Sequence, residues 1–127
     1  MDDNFRKVKE YVLDLGFNIE YENEDEGVLR IENLSEGIQN LVLGIAPPIL
    51  IMEQFIMELK NMSGDVYQNL LKKNRDIIHG AFALDESGSK VIFRDTLQIE
   101  NLDLNEIEGS INSLELLLSE YSEELIE

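Results

Sequence analysis

Between Leu104 and Ile126 the apolar residues Ile107, Ile111, Leu114, Leu118, Tyr121 and Leu125 recur in alternating steps of four and three. That spacing puts all six on one stripe of a helix roughly 20 residues long. Asp103 is placed to cap the first turn, Glu106 stands at the reciprocal capping position, and Leu102 and Ile107 are spaced for a hydrophobic staple. The rest of the segment is polar: residues 100–127 hold nine acids and no Lys or Arg. Burying an apolar side chain is worth about 1.5–3 kcal/mol before the entropy of ordering is counted. The stripe therefore needs an apolar surface to lie on, and the strand-like segments between Phe17 and Ile99 are the surface this chain offers.

With 127 residues, one domain spanning 1–127 is expected, and it is long enough to bury a core. An apolar fraction of 43% argues for folding despite a formal charge of -17. Twenty-seven acids against ten bases make a negative surface, which repels phosphate backbones and anionic lipid. Nucleic acid is thus not an expected partner. The basic residues Lys72, Lys73 and Arg75 are expected to serve the C-terminal end of a short helix. No apolar run approaches the length of a membrane span, so membrane insertion is not expected. The opening Met1-Asp2-Asp3-Asn4 lacks the basic and apolar regions of a secretory leader. The absence of Cys removes disulfides and thiolate ligands, and a cytoplasmic location is the expectation.

In chain order, residues 3–15 are predicted helical, with Phe5, Val8, Val12 and Leu15 inward, Asp2 or Asp3 at the start and Gly16 at the stop. Phe17–Glu22 alternates as a half-buried strand with Phe17, Ile19 and Tyr21 on one face. The acidic turn Asn23–Gly27 lacks the spacing and the flanking helices of a calcium loop. Val28–Glu32 and Asn40–Ala46 are the next strands, and Pro47-Pro48 ends the third. Ile49–Leu59 contains good helix formers. The adjoining Pro pair, a β-branched start and the alternation Ile49, Ile51, Phe55, Met57, Leu59 favour a strand. Ser63 is placed to cap a helix over Gly64–Asn74, with Met62 and Tyr67 as its staple and Val66, Tyr67, Leu70 and Leu71 inward. Ile77–Leu84 and Lys90–Thr96 are predicted as the last strands. The order α-β-β-β-β-α-β-β-α implies an α+β fold, an antiparallel sheet packed by helices on one face.

Chemistry-bearing patterns are few. His79 is the sole His, so no multi-His metal site can form, and it is expected to be a strand residue near a sheet end. Ser63, Ser87 and Ser89 lie in no nucleophile-elbow motif, and Gly-rich phosphate loops are absent. Asp103 and Glu106 are explained as caps, and the acids at the C-terminal end read as a solvated surface. No catalytic residue, metal or cofactor is therefore expected. What stands out is apolar surplus on the fourth strand. One face must pack on helices, and the other meets a second layer, a partner subunit or a client. Ile49, Ile51, Phe55 and Met57 are the candidate protein-binding residues.

The wording of residues 70–125 carries a resemblance. Leu70-Leu71-Lys72-Lys73-Asn74 before a strand, His79-Gly80-Ala81-Phe82-Ala83-Leu84-Asp85, Ile92-Phe93-Arg94 and the helix from Leu102 to Leu118 resemble the YbjN-like proteins. These share the fold of the type III secretion chaperones, the Tir-chaperone-like group. The resemblance implies a small bacterial α+β domain, commonly a homodimer. It further implies binding of an extended protein segment along apolar grooves without ATP, and it supplies no catalytic residues. The Pro47-Pro48 break and the long strand after it depart from a typical secretion chaperone. The expected function is a non-catalytic protein-binding module, chaperone-like or regulatory, whose partners are a second copy and a protein client. The alternatives are a subunit of a fixed complex and, third, a small enzyme built around His79.

Overall fold

The computed structural model describes residues 3–60 and 63–120. The elements are α1 (Asn4–Asp14), β1 (Asn18–Asn23), β2 (Val28–Asn33), β3 (Ile38–Ala46), β4 (Ile49–Glu58), α2 (Gly64–Lys73), β5 (Ala81–Leu84), β6 (Lys90–Gln98) and α3 (Leu104–Glu120). Single 3-10 turns cover Leu34–Glu36 and Asn74–Asp76. This is the expected order and the expected α+β class.

Helix ends follow local chemistry. Gly16 takes φ +89°, and the N–H groups of Gly16 and Phe17 bond the carbonyls of Leu13 and Val12. That is a Schellman stop, which a left-handed Gly permits at little cost. At α3 the Glu106 N–H donates to Asp103 Oδ1 at 2.9 Å, so Asp103 is the cap its spacing predicts. Two expected side-chain caps do not form: neither Asp3 on α1 nor Ser63 on α2 bonds the first turn through its side chain. Ser63 instead offers its carbonyl to the N–H groups of Val66 and Tyr67. Asp2, Met62, Tyr121 and Leu125 lie outside the described residues.

The strands form one antiparallel sheet in the order β1-β2-β3-β4-β6-β5. The first four make a meander, with the β3–β4 hairpin turning over Pro47-Pro48. The chain then passes through α2, emerges on the far side of β6 as β5, and turns back into the gap as β6. A single apolar cluster unites α1, α2 and α3 with one face of the sheet. Leu29, Ile31, Leu41, Leu43, Leu50, Met52, Val91 and Phe93 are fully buried there, under Val8, Val12, Val66, Ile107 and Leu114 from the helices. None of the alternate residues Val28, Val42, Ile51 and Ile92 belongs to that cluster. Among the described residues the helices thus cover one face and leave the other open.

Two bulges redirect the alternation read from the sequence. In β1 the register slips between Ile19 and Tyr21, so Tyr21 pairs Arg30 on the open side. Tyr21 is exposed there, with the Arg30 guanidinium 5.7 Å from its ring centre. In β4 the register slips between Phe55 and Met57. Residues before the slip keep Ile49, Ile51 and Phe55 on the open face, but Met57 turns inward and is only 9% exposed. A one-residue shift inverts every later side chain, and the unbroken alternation predicted for β4 fails at that step.

β5 begins at Ala81 instead of Ile77. Ile78 faces solvent, and Gly80 at φ +81° resets the chain before the strand. A side chain at Gly80 would stand 2.5 Å from the Phe93 ring. His79 therefore precedes the strand, a correction to its expected place within it. On α3, Ile107, Ile111 and Leu114 are buried as predicted and Leu118 partly so, while Leu117 joins the buried stripe unannounced.

Candidate protein-binding surfaces

The open face is a ladder of cross-strand neighbours. Register sets Val28, Gly44, Ile51 and Thr96 side by side, then Arg30, Val42, Glu53 and Arg94, then Phe55, Ile92 and Ala83. Phe55 is 52% exposed and Val42 37%, while Ile49, Ile51 and Ile92 are half-buried by their neighbours alone. Gly44 contributes no side chain beside Ile51, which leaves a shallow notch in the apolar row. Glu53 and Arg94, directly opposite each other, pair at 2.5 Å across the middle of the patch. So exposed a pair is worth under about 1 kcal/mol. It gives the patch a polar bar between two apolar ends.

Of the four residues singled out by sequence, Ile49, Ile51 and Phe55 share this face. Met57 does not: it packs with the core, and the bulge is the reason. Sequence reasoning passed over Val42 and Ile92, which the register brings beside Glu53 and Phe55. Their signal was alternation within β3 and β6, legible once strand partners are fixed.

A second apolar surface lies at the sheet edge. Tyr67, Leu70 and Leu71 of α2, with Asn74, Phe82, Ala83 and Leu84, line a groove of about 280 Å³. Leu71, expected to point inward, is 70% exposed, and Leu84 is 40% exposed. Leu71 lies on the flank of the helical stripe and overhangs a strand only four residues long. Tyr67 anchors α2 by donating its hydroxyl to the Gly88 carbonyl at 3.1 Å.

The polar candidates disperse. His79 is exposed; its N–H donates to Ser113 Oγ at 3.2 Å, and Gly109 of α3 leaves room for its ring. Ser87 and Ser89 knit the β5–β6 turn: Ser87 donates to Asp85 at 2.8 Å and lies 2.6 Å from Ser89 Oγ. That hydroxyl, with the Lys90 N–H, lowers the Asp85 pKa below the ordinary aspartate value. Elsewhere acids crowd each other. Desolvation, then the charge of Glu20, raises the pKa of Glu32, and desolvation, then Glu36, raises that of Glu115. Lys72 and Lys73 occupy the last turn of α2, where their charge suits the helix end. Among the described residues no group of three or more His, Asp or Glu side chains is placed to hold a metal ion. No helix among them is long and apolar enough to cross a membrane.

Comparison with known proteins follows the fold. The model of the family described as CesT_Tir_1 matches residues 1–127. Among solved structures, Escherichia coli YbjN superposes with a TM-score of 0.67 at 12% identity, covering 89% of this chain and 87% of that one. A chain of the ExoU–SpcU heterodimer, from the type III secretion system of Pseudomonas aeruginosa, gives 0.69 at 15% identity, covering 88% and 92%. The structure of the Yersinia pestis type III secretion chaperone SycH, in complex with a fragment of YscM2, gives 0.65 at 18% identity, covering 94% and 99%. At these identities the likeness is one of fold. Among curated proteins no significant match to the sequence is found.

Proposed function

This chain belongs to the CesT_Tir_1 family, whose fold it shares with chaperone-like, non-catalytic protein binders, and from that premise we propose that it is a homodimeric, cytoplasmic module that holds an extended segment of a protein client. The observation that supports this reading best is the open sheet face. Ile51, Phe55, Ile92 and Val42 form an apolar strip on a sheet whose described helices all lie on the opposite side. An extended client can lay alternate side chains along such a strip, and the Glu53–Arg94 pair offers it polar contacts midway. Ile49, Ile51 and Phe55 are the binding residues of this proposal, and the α2–β5 groove is the surface assigned to the second copy. SycH, solved with a fragment of another protein, is the precedent for a client on this fold.

The reading is tested with Phe55→Glu and Ile51→Glu. Tagged protein is isolated gently from its own host and its complexes are weighed by native mass spectrometry. The wild type is expected as a dimer, near twice 14.6 kDa, carrying one recurrent protein at fixed ratio. The variants are expected to keep their circular dichroism and their dimer while losing that protein. Variants that stay folded, dimeric and fully loaded remove the open face from the proposal. A bare wild-type dimer removes stable client binding.

A further inference from the structure

β5 ends the sheet, so among the described residues one of its sides has no neighbouring strand. An edge strand exposes backbone N–H and C=O groups that invite another strand. Proteins usually protect such edges with charged side chains or Pro on the strand itself. The two edges here differ. β1 carries Glu20 and Glu22, with Lys9 paired to Glu22 at 3.0 Å. β5 reads Ala81-Phe82-Ala83-Leu84, without a charge or a Pro, beside the apolar groove of Tyr67, Leu71 and Leu84. Its own side chains make it an inviting acceptor.

Along an antiparallel pair, successive residues turn their backbone groups alternately toward the partner and away from it. Phe82 turns away from β6. Its N–H donates to Asn74 Oδ1 at 2.7 Å, and its carbonyl accepts from Asn74 Nδ2 at 3.2 Å. One side-chain amide thus makes both bonds that a residue of an added strand would make. Asn74 opens the 3-10 turn after α2, and the helix holds it there. We infer that Asn74 is an edge cap: its amide occupies the pairing position on β5 and closes that side of the sheet to strand addition. A strand arriving at this edge must displace both bonds at once. Any partner seated in the α2–β5 groove is consequently held by side chains, and its sheet does not join this one.

The inference goes beyond the client-binding proposal and does not depend on it. The test uses the full chain, Asn74→Ala, Asn74→Asp, and a synthetic peptide copying Gly80–Asp85. In the wild type the Phe82 N–H is expected to exchange with solvent roughly tenfold more slowly than that of Leu84, which faces the same side without the cap. That protection is lost in Asn74→Ala and retained in part in Asn74→Asp, whose carboxylate still accepts from the Phe82 N–H. Asn74→Ala is expected to bind the peptide, or to assemble beyond a dimer with rising concentration in sedimentation velocity, where the wild type does neither. Wild-type protein that takes up the peptide overturns the cap, as does a Phe82 N–H exchanging as fast as that of Leu84. Both are readable even if Asn74→Ala fails to fold. A folded Asn74→Ala that neither binds the peptide nor assembles beyond a dimer overturns it too, leaving Asn74 as a tether between α2 and β5.

Discussion

Ile51 and Met52 are neighbours on β4, both apolar, and they live in different solvents. Met52 is fully buried against the helices, while Ile51 sits half-buried on a face that none of the described helices covers. The same contrast runs along the strand, with Leu50 inside and Phe55 outside. Hydrophobicity alone does not sort them. What sorts them is the position of α1, α2 and α3, all on one side of the sheet. Apolar residues on the covered face stabilise the fold. Those on the open face add little to it and are available for contact with another molecule.

That contrast can be measured on adjacent residues. Met52→Ala leaves a cavity in a close-packed layer and is expected to cost about 2–5 kcal/mol. Ile51→Ala removes a side chain that is already partly in water, and about 1 kcal/mol or less is expected. Chemical denaturation of the two variants, with unchanged slopes, checks the ratio. Equal losses would mean that the open face is covered in solution, by a second copy or by another protein.

A smaller effect sharpens the picture inside the covered layer. Ser110 of α3 is fully buried and bonds the Asp95 carboxylate of β6. Met52 and Asp95 are register partners, so this bond crosses from sheet to helix in the midst of the apolar core. Ser110→Ala strips a partner from a half-buried carboxylate, and about 1–3 kcal/mol of destabilisation is expected. Ser113→Ala, one turn along the same helix, loses only the contact to the His79 N–H near the surface. It should cost well under half as much in the same denaturation assay, since water can replace that partner.

These residues also mark how far the sequence could be read. The order of elements was legible because each strand and helix carries its own period, and Gly16 and Asp103 sit where stop and cap chemistry demand. That Ile49, Ile51 and Phe55 share one face was legible from alternation; that the helices leave this face open was not, because helix placement is no part of a strand's own pattern. Met57 and Tyr21 were not, because a bulge is decided by how two strands pair, and pairing is absent from a single strand's pattern. Leu71 was misplaced for a related reason. Its helix stripe is wider than the short strand beneath it, and strand length depends on Gly80 and the turn before it. The Asn74–Phe82 bonds join residues that no periodicity connects, so that contact required the fold.

The smallest expected effect lies at the rim of the covered layer, where α3 passes the β2–β3 connection. Glu115 and Glu36 share a cleft there with Asn33, Glu108 and Asn112. Desolvation first, then the charge and hydrogen bond of Glu36, raises the Glu115 pKa above its ordinary value of 4.5. The folded state thus holds this proton more tightly than the unfolded chain does. Its contribution to stability is fully present below pH 4.5 and is lost as pH rises through the raised folded value. At neutral pH the pair repels and weakens the rim. Glu115→Gln removes the repulsion, so the variant is expected to melt slightly above wild type at pH 7. The gap should close as pH falls below 4.5, where the wild-type carboxyl carries its own proton. Asp85, whose pKa is lowered by Ser87, works in the opposite sense and is common to both proteins, so it cancels in the comparison. Melting curves of the two proteins from pH 4 to 8 decide the matter. A constant gap across that range would mean that Glu115 acts through packing, and that the rim behaves like the covered face instead of a solvated border.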